Sequence, residues 1–306
     1  MELATGEISF DGEMPFPENN IVLYREIYII EQWLRRITYA AMIAKHGNSW
    51  LDIISPKLRK RLKSRLAGLQ GRAHLDCENS NNVIWLSNLG ELRELLTVKS
   101  ILPVVKVLCG YKRKFISSKI DELREIRNVI GHNRAVTLQT LTIWRGISTS
   151  LKHGIETFKS KLLYPAPDNI IHLDDSDNIV AKFFNIKTRN NDWSKFQPLF
   201  CESEYFYSLT HLPVEPFGRY VRISKILDTY RSLEHVILAT LINKMGDEFT
   251  VTWPKTASVD KHHSIINTFL KSAESVWTST DYASQSPKFI CDPKIWFYEN
   301  QRPIQE

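Results

Sequence analysis

Leu23, Ile27, Ile30, Leu34, Ile37 and Ala41 recur at steps of three and four through about residue 45, which is the apolar stripe of one long amphipathic helix. His46, Gly47 and Asn48 predict its end. The same spacing predicts helices over 56–69, 83–96, 101–108 and 117–130, the last with Gly131 near its end. A sixth opens after Thr137, a residue suited to an N-cap, and runs through Leu141, Trp144 and Leu151 toward Leu162. Residues 21–163 therefore read as an all-α bundle. Residues 1–20 have no helical period, contain Gly6, Gly12, Pro15 and Pro17, and read as an acidic arm with a short hairpin at Asp11 and Gly12.

Tyr164-Pro165-Ala166-Pro167 breaks the helical pattern, and the turn-like Asp174-Asp175-Ser176-Asp177 follows it. Beyond the break the pattern is mixed. Stretches rich in β-branched and aromatic residues predict strands over 178–186 and 249–253, with a last one over 288–298. Amphipathic periods predict helices over 224–244 and 259–277. The expected fold class is an N-terminal all-α helical bundle followed by an α+β domain over 168–306, whose expected role is to sense a ligand or bind a regulatory protein.

Composition narrows the class. With 43% hydrophobic and 24% charged residues, the 306-residue chain matches neither a disordered protein nor a membrane bundle. No run approaches the roughly 18 apolar residues of a membrane span. The acidic start, without Lys or Arg before Arg25, is the opposite of an export signal. Cys77, Cys109, Cys201 and Cys291 are too scattered for paired zinc ligands and too sparse for a disulfide framework, so a cytoplasmic location is expected. Charge is uneven: residues 1–160 hold 24 basic and 16 acidic residues, a balance of +8, against 16 and 18, or −2, in the remainder. A polyanionic partner is expected for the first half.

The segment Leu123-Arg124-Glu125-Ile126-Arg127-Asn128-Val129-Ile130-Gly131-His132-Asn133-Arg134 places a His after an Arg with four residues between them. Asn128 adjoins the Arg, Gly131 precedes the His, and the segment ends a helix in an all-helical, basic half. This combination resembles the HEPN superfamily (higher eukaryotes and prokaryotes nucleotide-binding), whose hallmark is an Arg, a polar neighbour and a His four to six residues beyond. Tyr28, Glu31, Leu34 and Arg35 in the first helix, and Leu89-Gly90-Glu91-Leu92 further on, are similar to other parts of that pattern. The resemblance covers about 20–160. It implies a metal-independent endoribonuclease that needs no cofactor and works as a homodimer with both motifs facing one cleft, as in toxin, antiphage and RNA-surveillance systems. Arg134 stands where some HEPN toxins carry a Tyr modified by a partner nucleotidyltransferase, which argues against that class.

Metal-free RNA cleavage needs the 2′-hydroxyl deprotonated, the leaving 5′-oxygen protonated and the extra charge at phosphorus stabilised. Histidine suits the proton transfers, since its unperturbed pKa of about 6.5 lies near working pH. Arginine suits the charge, because its planar fork holds phosphate oxygens and keeps its proton. His132 is thus the expected acid-base group, Arg127 the phosphate clamp, Asn128 a positioning group and Arg134 an RNA contact. The plainer reading gives Arg127 to helix C-terminal carbonyls and His132 to an interface. A non-catalytic dimer that binds nucleotide or RNA as a scaffold is the first alternative, and an adaptor working through the second half is another. In a straight helix five positions turn about 140°, so Arg127 and His132 meet only if the helix ends near Gly131 or a second copy supplies one of them.

Lys57, Arg59, Lys60, Arg61, Lys63, Arg65 and Arg72 are seven basic residues with no acid between Lys57 and Arg72. Leu58, Leu62, Leu66 and Leu69 supply the apolar stripe of the same helix, so the charges read as an exposed cationic face. Its functional reading is an RNA track through Arg59, Arg61, Lys63 and Arg65, joined by Lys112, Arg113 and Lys114 at the start of the motif helix; the plain reading is a solvated surface. No metal is expected. His262 and His263 diverge by about 100° on a helix, and Asp174, Asp175 and Asp177 lack the Gly and Glu of a calcium loop. The aromatics Tyr205, Phe206, Tyr207, Trp253, Trp277, Trp296, Phe297 and Tyr298 read as core before they read as a ligand pocket.

Overall fold

The computed structural model describes residues 18–69, 83–132, 134–163, 178–189, 196–213, 220–221, 229–233, 236–242, 249–275, 277–278 and 288–290. The expectations for 1–17, for Arg72, for the break at 164–167, for the aspartates at 174–177 and for 291–298 lie outside these residues.

The stripe from Leu23 to Ala41 is the buried side of helix α1 (Glu18–His46), 29 residues and about 44 Å long. Helices α3 (Leu89–Leu96), α4 (Leu102–Cys109), α5 (Arg113–Gly131) and α6 (Leu138–Leu163) all pack against it. Helix α2 (Pro56–Leu69) lies outside them, against a short 3-10 turn at Val83–Leu86. Leu34, Ile37, Ala41 and Met42 are completely enclosed, as are Leu92, Leu95, Ile116, Ile120 and Leu123 of the surrounding helices. At Gly47, φ is +55°, the left-handed conformation that ends α1 at little cost. Gly154 answers a different need: a Cβ there would stand 2.1 Å from the ring of Tyr111, whose hydroxyl donates to the carbonyl of Leu151.

Two helical boundaries differ from expectation. The helix predicted over 83–96 is split at Ser87-Asn88, because Asn88 and Glu91 form a capping box that starts α3 afresh. Helix α5 begins at Arg113, four residues before the predicted start at 117.

The second half is α+β. Strands β1 (Phe196–Glu202), β2 (Phe206–Pro213), β4 (Ala239–Ile242), β5 (Phe249–Pro254) and β7 (Lys288–Ile290) make an antiparallel sheet in the order β1-β2-β5-β4-β7; β3 (Tyr220–Val221) pairs separately with β6 (Trp277–Thr278). Helices α7 (Ile179–Thr188) and α8 (Val259–Ser275) cover one face of the larger sheet. Phe249, Val251 and Trp253 point into that layer. The alternate positions Thr250 and Thr252 hydrogen-bond to Thr210 and Ser208 on the other face. Thr252 also donates to Leu162 O at 2.8 Å, and Phe206, Leu238 and Ala239 join the core of the helical bundle. The sheet is thus buried between the bundle and the α7–α8 layer.

Two expectations are corrected here. The segment 178–186 is helix α7, not a strand: the Asn178 side chain accepts from the N–H groups of Val180 and Ala181, and Val180, Ala181 and Phe184 are buried at helical spacing. Within 224–244 the predicted helix gives way to β4, since the mainly apolar run from Val236, interrupted by Thr240 alone, suits a buried strand as well as it suits a helix. Strands β1 and β2 were not anticipated.

His211 on β2 is wholly enclosed, stacked on Phe269 at 4.0 Å and tilted against Phe249 at 4.6 Å. Burial pulls its pKa from the ordinary 6.5 down to about 3. The unfolded chain therefore takes up a proton near pH 6.5 that the folded chain refuses until about pH 3. This contribution to stability is complete above pH 6.5 and is lost as pH falls toward 3, at up to about 1.4 kcal/mol per pH unit. Urea midpoints measured between pH 7 and 4 should fall less steeply for His211→Leu than for the wild type; equal slopes would show that His211 is not buried in its neutral form.

Candidate nucleic-acid interface

Helix α5 runs regularly to Gly131, and His132 is its C-cap, its N–H donating to Asn128 O. The Arg134 N–H reaches back to Val129 O at 3.1 Å, a six-to-one bond that closes the end of the helix. Asn20 fixes this turn: its amide donates to Arg134 O at 3.0 Å and accepts from the Val136 N–H at 3.1 Å. The C-terminal end of the motif helix is thereby tied to the N-terminal end of α1. Arg127, Asn128, His132 and Arg134 are all exposed. Arg127 and His132 lie five positions apart with the helix intact up to Gly131, so within one chain they diverge around the axis.

Among the described residues Arg127 caps no carbonyl. Its Nε stands 3.0 Å from Oε1 of Glu31 on α1, whose other oxygen accepts from Arg35 Nη2 at 3.2 Å. Arg35 also donates to Ser87 O at 2.8 Å, in the turn that precedes α3. Glu31 is nearly enclosed, with 7% of its side chain exposed, whereas Arg127 is 45% exposed. One buried carboxylate thus serves two guanidinium groups and leaves a net positive charge. The Arg127 contact is an ion pair without hydrogen-bond geometry, Oε1 having no hydrogen-bond donor, and the nitrogens at the tip of Arg127 have no partner among the described residues. Burial holds Arg35 below the ordinary guanidinium range, with Glu31 opposing the shift. His132 and Asn128 have no side-chain hydrogen bond or ion pair among the described residues.

The cationic run on α2 is not an unopposed face. Arg61 pairs with both oxygens of Glu94 at 2.8 Å, and Arg65 holds both oxygens of Glu91 at 2.6 and 3.1 Å while donating to Leu86 O. Arg59 lies 3.2 Å from Asp52. The acids come from α3 and from the 3-10 turn after α1, which is why the local sequence hides them. Lys57, Lys60 and Lys63 are exposed beside shallow open grooves, with no acid in ion-pair distance among the described residues. Lys112, Arg113 and Lys114 are exposed at the far end of α5, about 21 Å along the axis from Arg127.

His262 and His263 serve separate partners: His262 Nδ1 accepts from Trp253 Nε1, and His263 stacks on Phe183 at 3.7 Å. Tyr207 and Trp253 pack around Phe200 in the sheet core. Among the described residues no three His, Cys, Asp or Glu side chains are grouped to hold a metal ion, and no helix is long and apolar enough to cross a membrane. No protein-family model, characterised protein or solved structure matches the chain.

Glu31 and Asn20 hold this end of α5, and motif reading gave neither of them a role. Glu31 lies on the ridge of Tyr28 and Arg35, but an exposed i,i+4 pair with Arg35 would look the same in sequence. Arg65→Gln should destabilise the fold by on the order of 1–3 kcal/mol, because it strips a nearly buried Glu91 of its bidentate partner, whereas Lys60→Gln and Lys63→Gln should stay within about 0.5 kcal/mol. Denaturant titration of the three variants checks this ordering.

Proposed function

We propose that this chain is a HEPN-like endoribonuclease that cleaves RNA by attack of the 2′-hydroxyl on the adjacent phosphorus, acting in defence against phage or as a toxin. The observation that carries the reading is Arg127 held at Nε by a buried Glu31, with its tip free, on the helix that ends at an exposed His132. The end of α5 carries the negative pole of the helix dipole, which by itself repels phosphate. Affinity for a phosphodiester there must come from guanidinium groups, and Arg127 and Arg134 supply them with Glu125 the single acid between 124 and 134.

In this reading His132 takes the 2′-hydroxyl proton as the new P–O bond forms, Arg127 binds the oxygens that gain charge, and a protonated His gives its proton to the departing 5′-oxygen. The products are a 2′,3′-cyclic phosphate and a 5′-hydroxyl. One His per chain for two proton transfers, diverging from its own Arg127, favours a homodimer in which two copies complete one cleft. The role proposed for Lys57, Lys60 and Lys63 is to track the RNA backbone. The second half, through a ligand or protein partner, is proposed to restrain the activity.

A second reading has its own support. His132 lacks an orienting partner among the described residues, which suits a dimer that binds nucleotide or RNA as a scaffold without cutting it. The two readings separate on one experiment. The purified protein should cut RNA in EDTA, leave 2′,3′-cyclic phosphate ends and behave as a dimer in light scattering. His132→Ala should lower the rate on the order of 10²-fold or more, and Glu31→Gln about 10- to 100-fold by releasing Arg127. RNA binding without cleavage would favour the scaffold, and cleavage that survives His132→Ala would remove the mechanism.

A further inference from the structure

Upstream of Glu31, α1 turns aromatic side chains to solvent. Ile21, Tyr24 and Tyr28 are 57%, 55% and 47% exposed, and steps of three and four continue their ridge to Glu31 and Arg35. This is not a frayed helix end. Asn20 and Leu23, in the same turns, are 4% and 2% exposed, and Asn20 is bonded to the turn after α5. The ridge is therefore held rigidly while its rings stay open. Neither tyrosine stacks on another ring among the described residues. At 100° per residue, exposed Arg25 lies about 60° to one side of Tyr28 and Glu31, with Arg127 attached, about 60° to the other.

We infer that Tyr24 and Tyr28 form a stacking platform for two bases of single-stranded RNA and lead the strand onto Arg127; this rests on the ribonuclease reading above and names its substrate class. Aromatic faces accept any base, and flanking arginines meet the phosphates, which is the composition of single-strand platforms. A duplex keeps its base faces stacked inside the helix and offers nothing to these rings. The alternative occupant is a protein surface, either a second copy or another partner. Two half-exposed tyrosines present about 100 Å² each, since a whole aromatic buries 150–250 Å². That area fits two bases, and the exposed Arg25 and Arg127 on either side suit a phosphate backbone.

The test uses the full chain carrying His132→Ala, so that RNA is bound without being cut, and oligoribonucleotides containing 2-aminopurine, single-stranded or annealed to a complement. Binding of the single strand should change the 2-aminopurine fluorescence as the base stacks. Tyr24→Ala and Tyr28→Ala should each weaken single-strand binding roughly 5- to 100-fold and abolish that change, with the salt dependence unaltered because no phosphate contact is lost. Tyr24→Phe and Tyr28→Phe should restore both. Thermal unfolding at the wild-type temperature would show that the variants fold.

Wild-type affinity in the Ala variants, while the parent binds RNA, would overturn the platform and leave the ribonuclease reading standing. Loss of RNA affinity accompanied by loss of the dimer in light scattering would assign the ridge to contact between copies and also overturn it. No RNA binding by the parent at all would remove the reading and the platform together.

Discussion

A carboxylate buried between two guanidinium groups organises the helical half. Removing Glu31 from water costs several kcal/mol, and only close opposite charges offset it. Arg35 supplies one from the same helix and Arg127 the other from α5, while Arg35 reaches on to the Ser87 carbonyl. Helix α1, the turn before α3 and the motif helix are thereby held at one point. The same ion pair keeps Arg127 beside Glu31, 3.0 Å away at Nε, with 45% of its side chain exposed. A lysine in its place would carry the charge without the second set of donors.

On α2, charge divides by residue type. The arginines turn to Glu91, Glu94 and Asp52, joining that helix to α3 and to the end of α1, and the lysines remain in solvent. Planar forks suit bidentate pairing with carboxylates, whereas a strongly hydrated ammonium gains less from it. Part of the apparent positive surface of the first half is therefore cross-linking between helices, and Lys57, Lys60 and Lys63 and, at the two ends of α5, Lys112, Arg113, Lys114 and Arg134 are among its exposed cations without an acid partner in the described residues.

The second half is joined to the first through threonines. The Thr face of β5 would be the solvent side of a two-layer sheet, and here it lies under α6, with Thr252 satisfying the Leu162 carbonyl and Thr256 that of Ile43. Hydroxyls at these positions let a sheet be buried on both faces without leaving the last carbonyls of the helices unpaired. Any signal that moves the sheet acts directly on α1 and α6, the helices that flank the motif helix.

The long helices were legible in the sequence because a 3.6-residue period sustained over many turns has no competing explanation: α1 and α6 lie where their apolar stripes put them. The residue types of the candidate site, Arg127, Asn128, His132 and Arg134, were equally plain. Short elements were not. Asn178 to Ile186 is rich in residues that favour strands, yet the Asn178 cap and burial at helical spacing make it a helix. Val236 to Ile242 is apolar apart from Thr240, and only its neighbours β5 and β7 decide that part of it is a strand. The partner of Arg127 belongs to the same class of question. Glu31 is far from it in sequence, and a carboxylate chooses between an exposed i,i+4 pair and a buried bridge only when helices pack around it. Local periodicity determined which segments coil. Which charges meet, and so which arginines are structural and which are free to bind, was decided by packing, because desolvation makes ion pairing depend on neighbours that the chain brings together only when it folds.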